Sequence, residues 1–76
     1  MNIKKENLKT IVENDTFEVH ILSKVFKGYI FKKFIKGSLF DLIEQREINI
    51  ALTEDELLQT ANEMLKATYS FKPQTT

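Results

Sequence analysis

Residues 16–36 constrain the fold of this 76-residue chain more than any other segment. Apolar residues in this stretch recur at i, i+3 and i+4 spacing, and such residues would lie along one half of a helix. They are Ile21, Leu22, Val25, Phe26, Tyr29 and Ile30. The spacing predicts an amphipathic helix that begins at Thr16, changes register beyond Phe31 and stops at Lys36-Gly37.

The same stretch also fits an alternative reading. Phe17, Val19 and Ile21 alternate with polar residues, and β-branched and aromatic residues are frequent, as in strands. A β-hairpin over about 16–35 would make the chain an α+β domain. The connection from Ser23 to Gly28 lacks the Asn-Gly or Asp-Gly pair of a tight hairpin, and the helix is therefore favoured.

Three patterns resemble capping boxes and indicate helix starts. They are Asp15 with Glu18, Ser38 with Asp41, and Thr53 with Glu56, the last reinforced by Leu52 and Leu57 as a hydrophobic staple. We therefore expect helices at about 4–13, 16–36, 39–47 and 54–68, with an extended link over 48–52. The predicted fold is all-α: a compact, four-helix single domain over 1–76, with a frayed tail at about 70–76.

Composition limits how such a small domain can be stabilised. The chain has no cysteine and a single histidine, His20, so disulfides are excluded and neither a metal site nor another cofactor is expected. Self-association is the remaining way to stabilise a domain of this size, and we expect a homodimer formed through apolar helix faces. No signal peptide or membrane span is indicated, and the expected location is the cytoplasm.

Charge is unevenly distributed, although the net charge is zero. Residues 19–40 contain five lysines and no acid, whereas residues 41–63 contain seven acids and one base. The basic stretch also holds aromatic residues, and it is the candidate partner-binding segment. Its candidate residues are Lys24, Lys27, Tyr29, Phe31, Lys32, Lys33 and Lys36.

Catalysis is not indicated by any motif. The chain has no glycine-rich phosphate loop, and His20 has neither a nucleophile nor an orienting acid in a recognisable pattern. We expect His20 to be exposed or partly packed on the polar half of the second helix. The acidic run Glu54–Glu56 is explained by the favourable position of acids at a helix start.

The expected function is that of a small, non-catalytic protein–protein interaction or regulatory module, an adaptor or inhibitor of a larger protein. Its partner would be another protein or a second copy of the chain, and no small-molecule substrate is expected. The alternative is a nucleic-acid-binding protein in which lysines contact phosphates and aromatic rings stack on bases.

Gly28 would lie inside the second helix, where glycine costs up to about 1 kcal/mol relative to alanine. Substitution of Gly28 by alanine is therefore expected to stabilise a helical chain. A clear loss of stability would instead indicate a special backbone geometry at this position.

Overall fold

The structure, a computed structural model, describes residues 2–6 and 8–66 and contains five β-strands followed by one α-helix. The elements are β1 Asn2–Lys5, β2 Lys9–Glu13, β3 Phe17–Ser23, β4 Tyr29–Ile35, β5 Ser38–Ile48 and α1 Glu54–Lys66. The strands form one antiparallel sheet in the order β1-β2-β3-β4-β5. The predicted tail at 70–76 lies outside the described residues.

The predicted four-helix, all-α fold is wrong, and so is the view of this chain as a small helical protein. The segment 4–13, predicted to be helical, instead contributes residues to β1 and β2. The segment 16–36, the main predicted helix, instead contains the β3–β4 hairpin, which was the alternative reading for about 16–35. The third predicted helix, at about 39–47, is part of β5.

Residues 17–23 form a strand, β3, in which every second side chain faces the helix side of the sheet. Phe17, Val19 and Ile21 are buried on the side of the sheet that carries α1, because successive side chains of a strand point to opposite faces. The helical spacing arose because Ile21 and Leu22 at the end of β3 are followed by two apolar loop residues, Val25 and Phe26. The apolar spacing that suggested a helix therefore spans the end of a strand and the loop that follows it.

Neither of the two other predicted helix starts begins a helix, because Asp15 lies in the β2–β3 turn and Ser38 is the first residue of β5. Asn14 Oδ1 accepts hydrogen bonds from the backbone N–H groups of Thr16 and Phe17, both at 2.8 Å, which fixes the β2–β3 turn. Ser38 Oγ donates to Asp41 Oδ2 at 2.6 Å just after the β4–β5 turn. Asn, Asp and Ser favour turns for the same reason that they favour helix N-caps, because their side chains bond nearby backbone groups.

The start of α1 is confirmed. The Thr53 N–H donates to Glu56 Oε1 at 2.9 Å, and the Glu56 N–H donates to Thr53 Oγ1 at 3.2 Å. This reciprocal capping box satisfies two backbone donors at the helix start. With only 13 residues, α1 is too short to cross a membrane, and residues 2–6 and 8–66 contain no other helix.

The core lies between α1 and one face of the sheet. Its centre is formed by apolar residues of β2, β3 and β4 together with Ala61, Met64 and Leu65 of the helix. The fully buried members on the sheet side are Val12, Val19 and Phe31. Because the apolar side of α1 is used in this contact, it is not available for the helix-to-helix dimer expected from the sequence.

The opposite face of the sheet has no second layer within the described residues. The strand registers place three rows of side chains across it. These rows are Asn2, Glu13, Glu18, Phe34 and Leu42; Lys4, Ile11, His20, Lys32 and Gln45; and Lys9, Leu22, Ile30 and Glu47. The fold is therefore a two-layer α+β arrangement in which one sheet face is left uncovered.

Residue 28 does not lie in a helix, and its backbone geometry requires glycine. Its φ of +104° lies in a region that L-residues rarely adopt, and a Cβ at this position would approach the Ile48 carbonyl oxygen to 2.0 Å. Gly37 also has a positive φ, +84°, but nothing lies within 4 Å of where its Cβ would be. Close approach of two backbones thus distinguishes Gly28 from Gly37.

We predict that Gly28→Ala destabilises the protein by more than about 3 kcal/mol, because backbone strain and a backbone collision act together. Gly37→Ala is the matched control, with an expected loss of about 1–2 kcal/mol from strain alone. Urea denaturation followed by circular dichroism measures both. Equal losses for the two variants, or a gain for Gly28→Ala, would contradict the described geometry.

Candidate interaction surface

The sheet divides the predicted basic-aromatic segment between two faces and two turns. Lys24 and Lys27 lie in the β3–β4 loop, and Lys36 lies in the β4–β5 turn. Between them, β4 directs Tyr29, Phe31 and Lys33 to the helix side and Lys32 to the uncovered side. The seven candidate residues therefore do not form one continuous surface.

Two of the candidates have no exposed surface. Phe31 and Lys33 are both 0% exposed, and Tyr29 is half-buried, with its hydroxyl donating to the Leu52 carbonyl at 3.3 Å. Lys36 is exposed and its Nζ lies 3.6 Å from Glu13 Oε2. The accessible part of the predicted segment is thus concentrated in the β3–β4 loop.

The β3–β4 loop presents two large apolar side chains to solvent. Val25 is 93% exposed and Phe26 is 99% exposed, and lysines flank the pair on both sides. A cleft of about 480 Å³ is lined by this loop together with Ser23 and Ile30. An aromatic ring fully exposed beside an apolar cleft is an unfavourable surface for an isolated chain and a favourable one for a complex.

The base of this loop is fixed by several contacts. The Lys24 N–H donates to the Gly28 carbonyl at 3.0 Å, and Gly28 packs against the backbone at the end of β5. Lys24 Nζ also contacts Glu47 of β5 and the side-chain oxygen of Asn49. The exposed pair therefore projects from a closed, anchored loop.

Further exposed apolar residues lie at the same end of the sheet. In an antiparallel meander the β1–β2 turn, the β3–β4 loop and the end of β5 share one end, which places Leu8 and Ile50 there with Val25 and Phe26. All four are exposed. A second cleft, of about 460 Å³, lies between the β1–β2 turn and α1 and includes Leu8 and Leu57 in its lining.

Lys33 links the centre of the sheet to the end of α1. Its Nζ donates to the Met64 carbonyl at 2.5 Å and lies 4.3 Å from the centre of the Phe17 ring. A cation is favourable near the carbonyl end of a helix. Burial lowers the pKa of Lys33, with the charge of Glu44 opposing that effect and the charge of Arg46 adding to it. These contacts give Lys33 a structural role, because they connect the sheet to the helix.

His20 is buried on the uncovered face, contrary to the expectation of an exposed or partly packed side chain. Its Nε2 lies 2.8 Å from Glu18 Oε1, and its ring packs edge-on against Phe34 at 4.9 Å between centroids. Glu18 Oε2 also accepts a hydrogen bond from the Gly37 N–H at 3.0 Å. The His20 hydrogen bond is the main cause of a lowered pKa at Glu18, with the Gly37 bond second. Through these two hydrogen bonds, Glu18 connects β3 to the β4–β5 turn.

The charges on the uncovered face are balanced. Its rows contain three lysines and three glutamates, Lys4, Lys9, Lys32, Glu13, Glu18 and Glu47. Within residues 2–6 and 8–66, no group of three or more His, Asp or Glu side chains is placed to hold a metal ion. This face therefore has neither the basic excess that favours phosphate binding nor a described ligand cluster.

Two features of the surface were missed at the level of sequence. The exposure of Val25 and Phe26 was hidden because both fitted the apolar side of a predicted helix. The position of β5 at the sheet edge could not be read because strand order depends on all five strands. The sequence did contain one indication that Val25 and Phe26 lie in a loop. Gly28 follows them closely, and the conformational freedom of glycine is used most often in turns.

We predict that Lys33 makes the protein more stable as pH rises toward 10.5, the ordinary pKa of lysine. Because the folded-state pKa is lower, the unfolded chain binds more protons between the two values, and the free energy of unfolding therefore increases with pH in that window. Urea denaturation of the wild type and of Lys33→Met, from pH 7 to 10.5, measures the effect. The rise should be smaller in the variant, and parallel curves would contradict the assignment.

No protein-family model, curated protein or solved structure matches this chain. Any statement of function for this fold therefore depends on the residues and contacts described above.

Proposed function

We propose that this chain is a small, non-catalytic interaction module that binds another protein or a second copy of itself, and that it acts in the cytoplasm as an adaptor or inhibitor of a larger protein. The observation that supports this proposal is the exposed pair in the β3–β4 loop, Val25 and Phe26. Aromatic anchors surrounded by polar groups dominate the energetics of protein interfaces.

Anchoring of the loop supports the same proposal. Gly28 closes the loop against the end of β5, and Lys24 contacts Glu47 and Asn49. A loop whose base is already fixed loses less conformational entropy when it binds. Lys27 is exposed beside Phe26 and is available to an acidic group on a partner.

Nucleic-acid binding receives less support from the arrangement. Of the aromatic residues expected to stack on bases, Phe31 is in the core and Tyr29 faces the helix side. The lysines of the segment are distributed over a loop, a turn and both faces of β4. The equal numbers of lysines and glutamates on the uncovered face further weaken an interaction driven by phosphate neutralisation.

We predict that the double variant Val25→Ser/Phe26→Ser loses partner binding by more than tenfold, because truncating interface anchors typically costs at least about 2 kcal/mol each. Ile35→Ser is the control, since it removes an apolar side chain that is 43% exposed at the opposite end of the sheet and outside β5. The immobilised wild type and both variants would be used to capture partners from a lysate of the source cell.

Circular dichroism of the three proteins verifies that the fold is retained. A captured protein held equally by the wild type and by Val25→Ser/Phe26→Ser would remove the loop from the binding surface. Failure of the wild type to retain any protein, with no self-association in solution, would overturn the proposed function.

A further inference from the structure

β5 leaves one side of its backbone open along the edge of the sheet. It is the longest strand, with 11 residues, and within the described residues it pairs only with β4. Leu39, Phe40 and Leu42 are exposed along it. A long edge strand with apolar side chains is a template for pairing with another strand.

The opposite edge of the sheet has the features of a protected edge. β1 has four residues, and two of them, Lys4 and Lys5, are lysines. Short length and lysine side chains both discourage strand addition. Pairing of β1 with a second β1 would also bring like charges together. Of the two edges, β5 is therefore the one suited to accept a strand.

The sequence of β5 is complementary to itself in one antiparallel register. In a twofold-symmetric pair of sheets, the strand residue on the axis lies opposite its own copy. With Gln45 on the axis, Glu44 lies opposite Arg46 of the second copy, and Arg46 lies opposite the second Glu44. Opposite charges at directly facing positions stabilise a strand pair, and symmetry provides this pair twice.

Neighbouring registers lack this complementarity. With Glu44 on the axis, two glutamates face each other and Asp41 faces Glu47. With Arg46 on the axis, two arginines face each other. With Ile43 on the axis, Glu44 faces Leu42 and no oppositely charged residues are paired. Charge therefore selects the register centred on Gln45, where a neutral amide faces its own copy.

Apolar residues flank the charged centre in the same register. Ile48 ends the regular part of β5 on one side of the centre, and Leu42 lies beyond that part on the other side. Leu42 is exposed and Ile48 is half-buried in the single chain. Residues 44–48 pair one to one with β4, whereas the register shifts lie beyond Lys33. The regular part of β5 thus contains the centre of the interface.

The charged pair retains bonding capacity in the single chain. Arg46 Nε donates to Glu44 Oε2 at 2.6 Å, with the two side chains 41% and 24% exposed. This contact uses Nε, and the terminal Nη groups of Arg46 remain as donors for a second carboxylate. Two copies can therefore form a four-residue network of alternating charge.

We propose that two copies of this chain pair through β5 in antiparallel register about Gln45, forming a continuous ten-stranded sheet with both helices on the same face. This inference rests on the self-binding branch of the proposed function and specifies its surface. It leaves the β3–β4 loop free, because that loop is not part of the central β5 ladder.

Charge-swap variants test the pairing in solution. Arg46→Glu places glutamate opposite Glu44, and Glu44→Arg places arginine opposite Arg46, and each variant alone is expected to weaken dimerisation at least tenfold. Mixed in equal amounts they regain both opposite-charge pairs, and a heterodimer is expected. Analytical ultracentrifugation at several concentrations measures all three samples. Dimers of either single variant as stable as the wild-type dimer would overturn the register.

Gln45→Glu provides a test that does not depend on altering Glu44 or Arg46. Gln45 lies opposite Lys32 within the sheet, where a carboxylate is favourable for folding, but at the proposed axis it would face a second carboxylate. The variant is expected to keep its thermal stability in dilute solution and to lose dimerisation. Retention of the wild-type dimer would contradict an axis at this residue.

Cysteine cross-linking locates the axis directly, because the chain contains no cysteine of its own. Residues directly opposite in an antiparallel pair have Cβ atoms about 4.5–5.5 Å apart, within reach of a disulfide or a short bifunctional reagent. Gln45→Cys is expected to form a covalent dimer on mild oxidation. Gln59→Cys, at an exposed position of α1, is the matched control and is expected to remain monomeric under denaturing electrophoresis.

The outcomes separate this inference from the proposed function. A wild type that is monomeric at all concentrations overturns the β5 dimer, while capture of another protein through Val25 and Phe26 would leave the proposed function standing. A dimer unaffected by the Gln45 and charge variants places self-association on another surface and overturns the edge pairing. An open series of larger oligomers would indicate pairing of β5 with β1 and also contradict the proposal.

Discussion

Packing of α1 against one face of the sheet is the interaction on which the rest of the structure depends. A single antiparallel sheet leaves both faces accessible to water, and only one has enough apolar residues to form a core. Ala61, Met64 and Leu65 close that core over Val12 and Phe31, and each fully buried large side chain contributes about 1.5–3 kcal/mol relative to exposure. Lys33 adds a polar contact at the end of the same helix.

A single helix covers only one face of the sheet, and this determines which surfaces remain accessible. The uncovered face carries equal numbers of lysines and glutamates, five apolar residues, and the buried His20 bonded to the partly buried Glu18. The surfaces available for association therefore lie at the margins of the sheet. At one end are Val25 and Phe26, and along one side is the exposed backbone of β5. The two surfaces are distinct, so a module of this size can present one to a partner protein and the other to its own copy.

Local chemistry predicted parts of this fold correctly and misassigned others. Thr53 and Glu56 marked the helix start because both partners of a capping box lie within one turn of chain. Asp15 and Ser38 gave a similar signal, but Asp15 lies in the β2–β3 turn, where the Asn14 side chain bonds the backbone, and Ser38 is the first residue of β5. The apolar spacing from Ile21 to Ile30 matched a helix because a strand end, a loop and a strand start happened to be combined. Of the predicted partner-binding residues, Lys24 and Lys27 frame the exposed loop, whereas Phe31 and Lys33 are in the interior.

The sequence by itself determined where α1 begins, the absence of disulfides, the separation of lysines from acids along the chain and the self-complementary order of residues in β5. Tertiary structure decided that residues 17–23 and 29–35 pair as strands, because residues that lie opposite each other, such as Phe17 and Ile35, are distant in sequence. It also decided which residues are exposed: alternation placed Lys33 under the helix and Lys32 outside. Burial depends on which element covers a face, and that information is not contained in any local window of the chain.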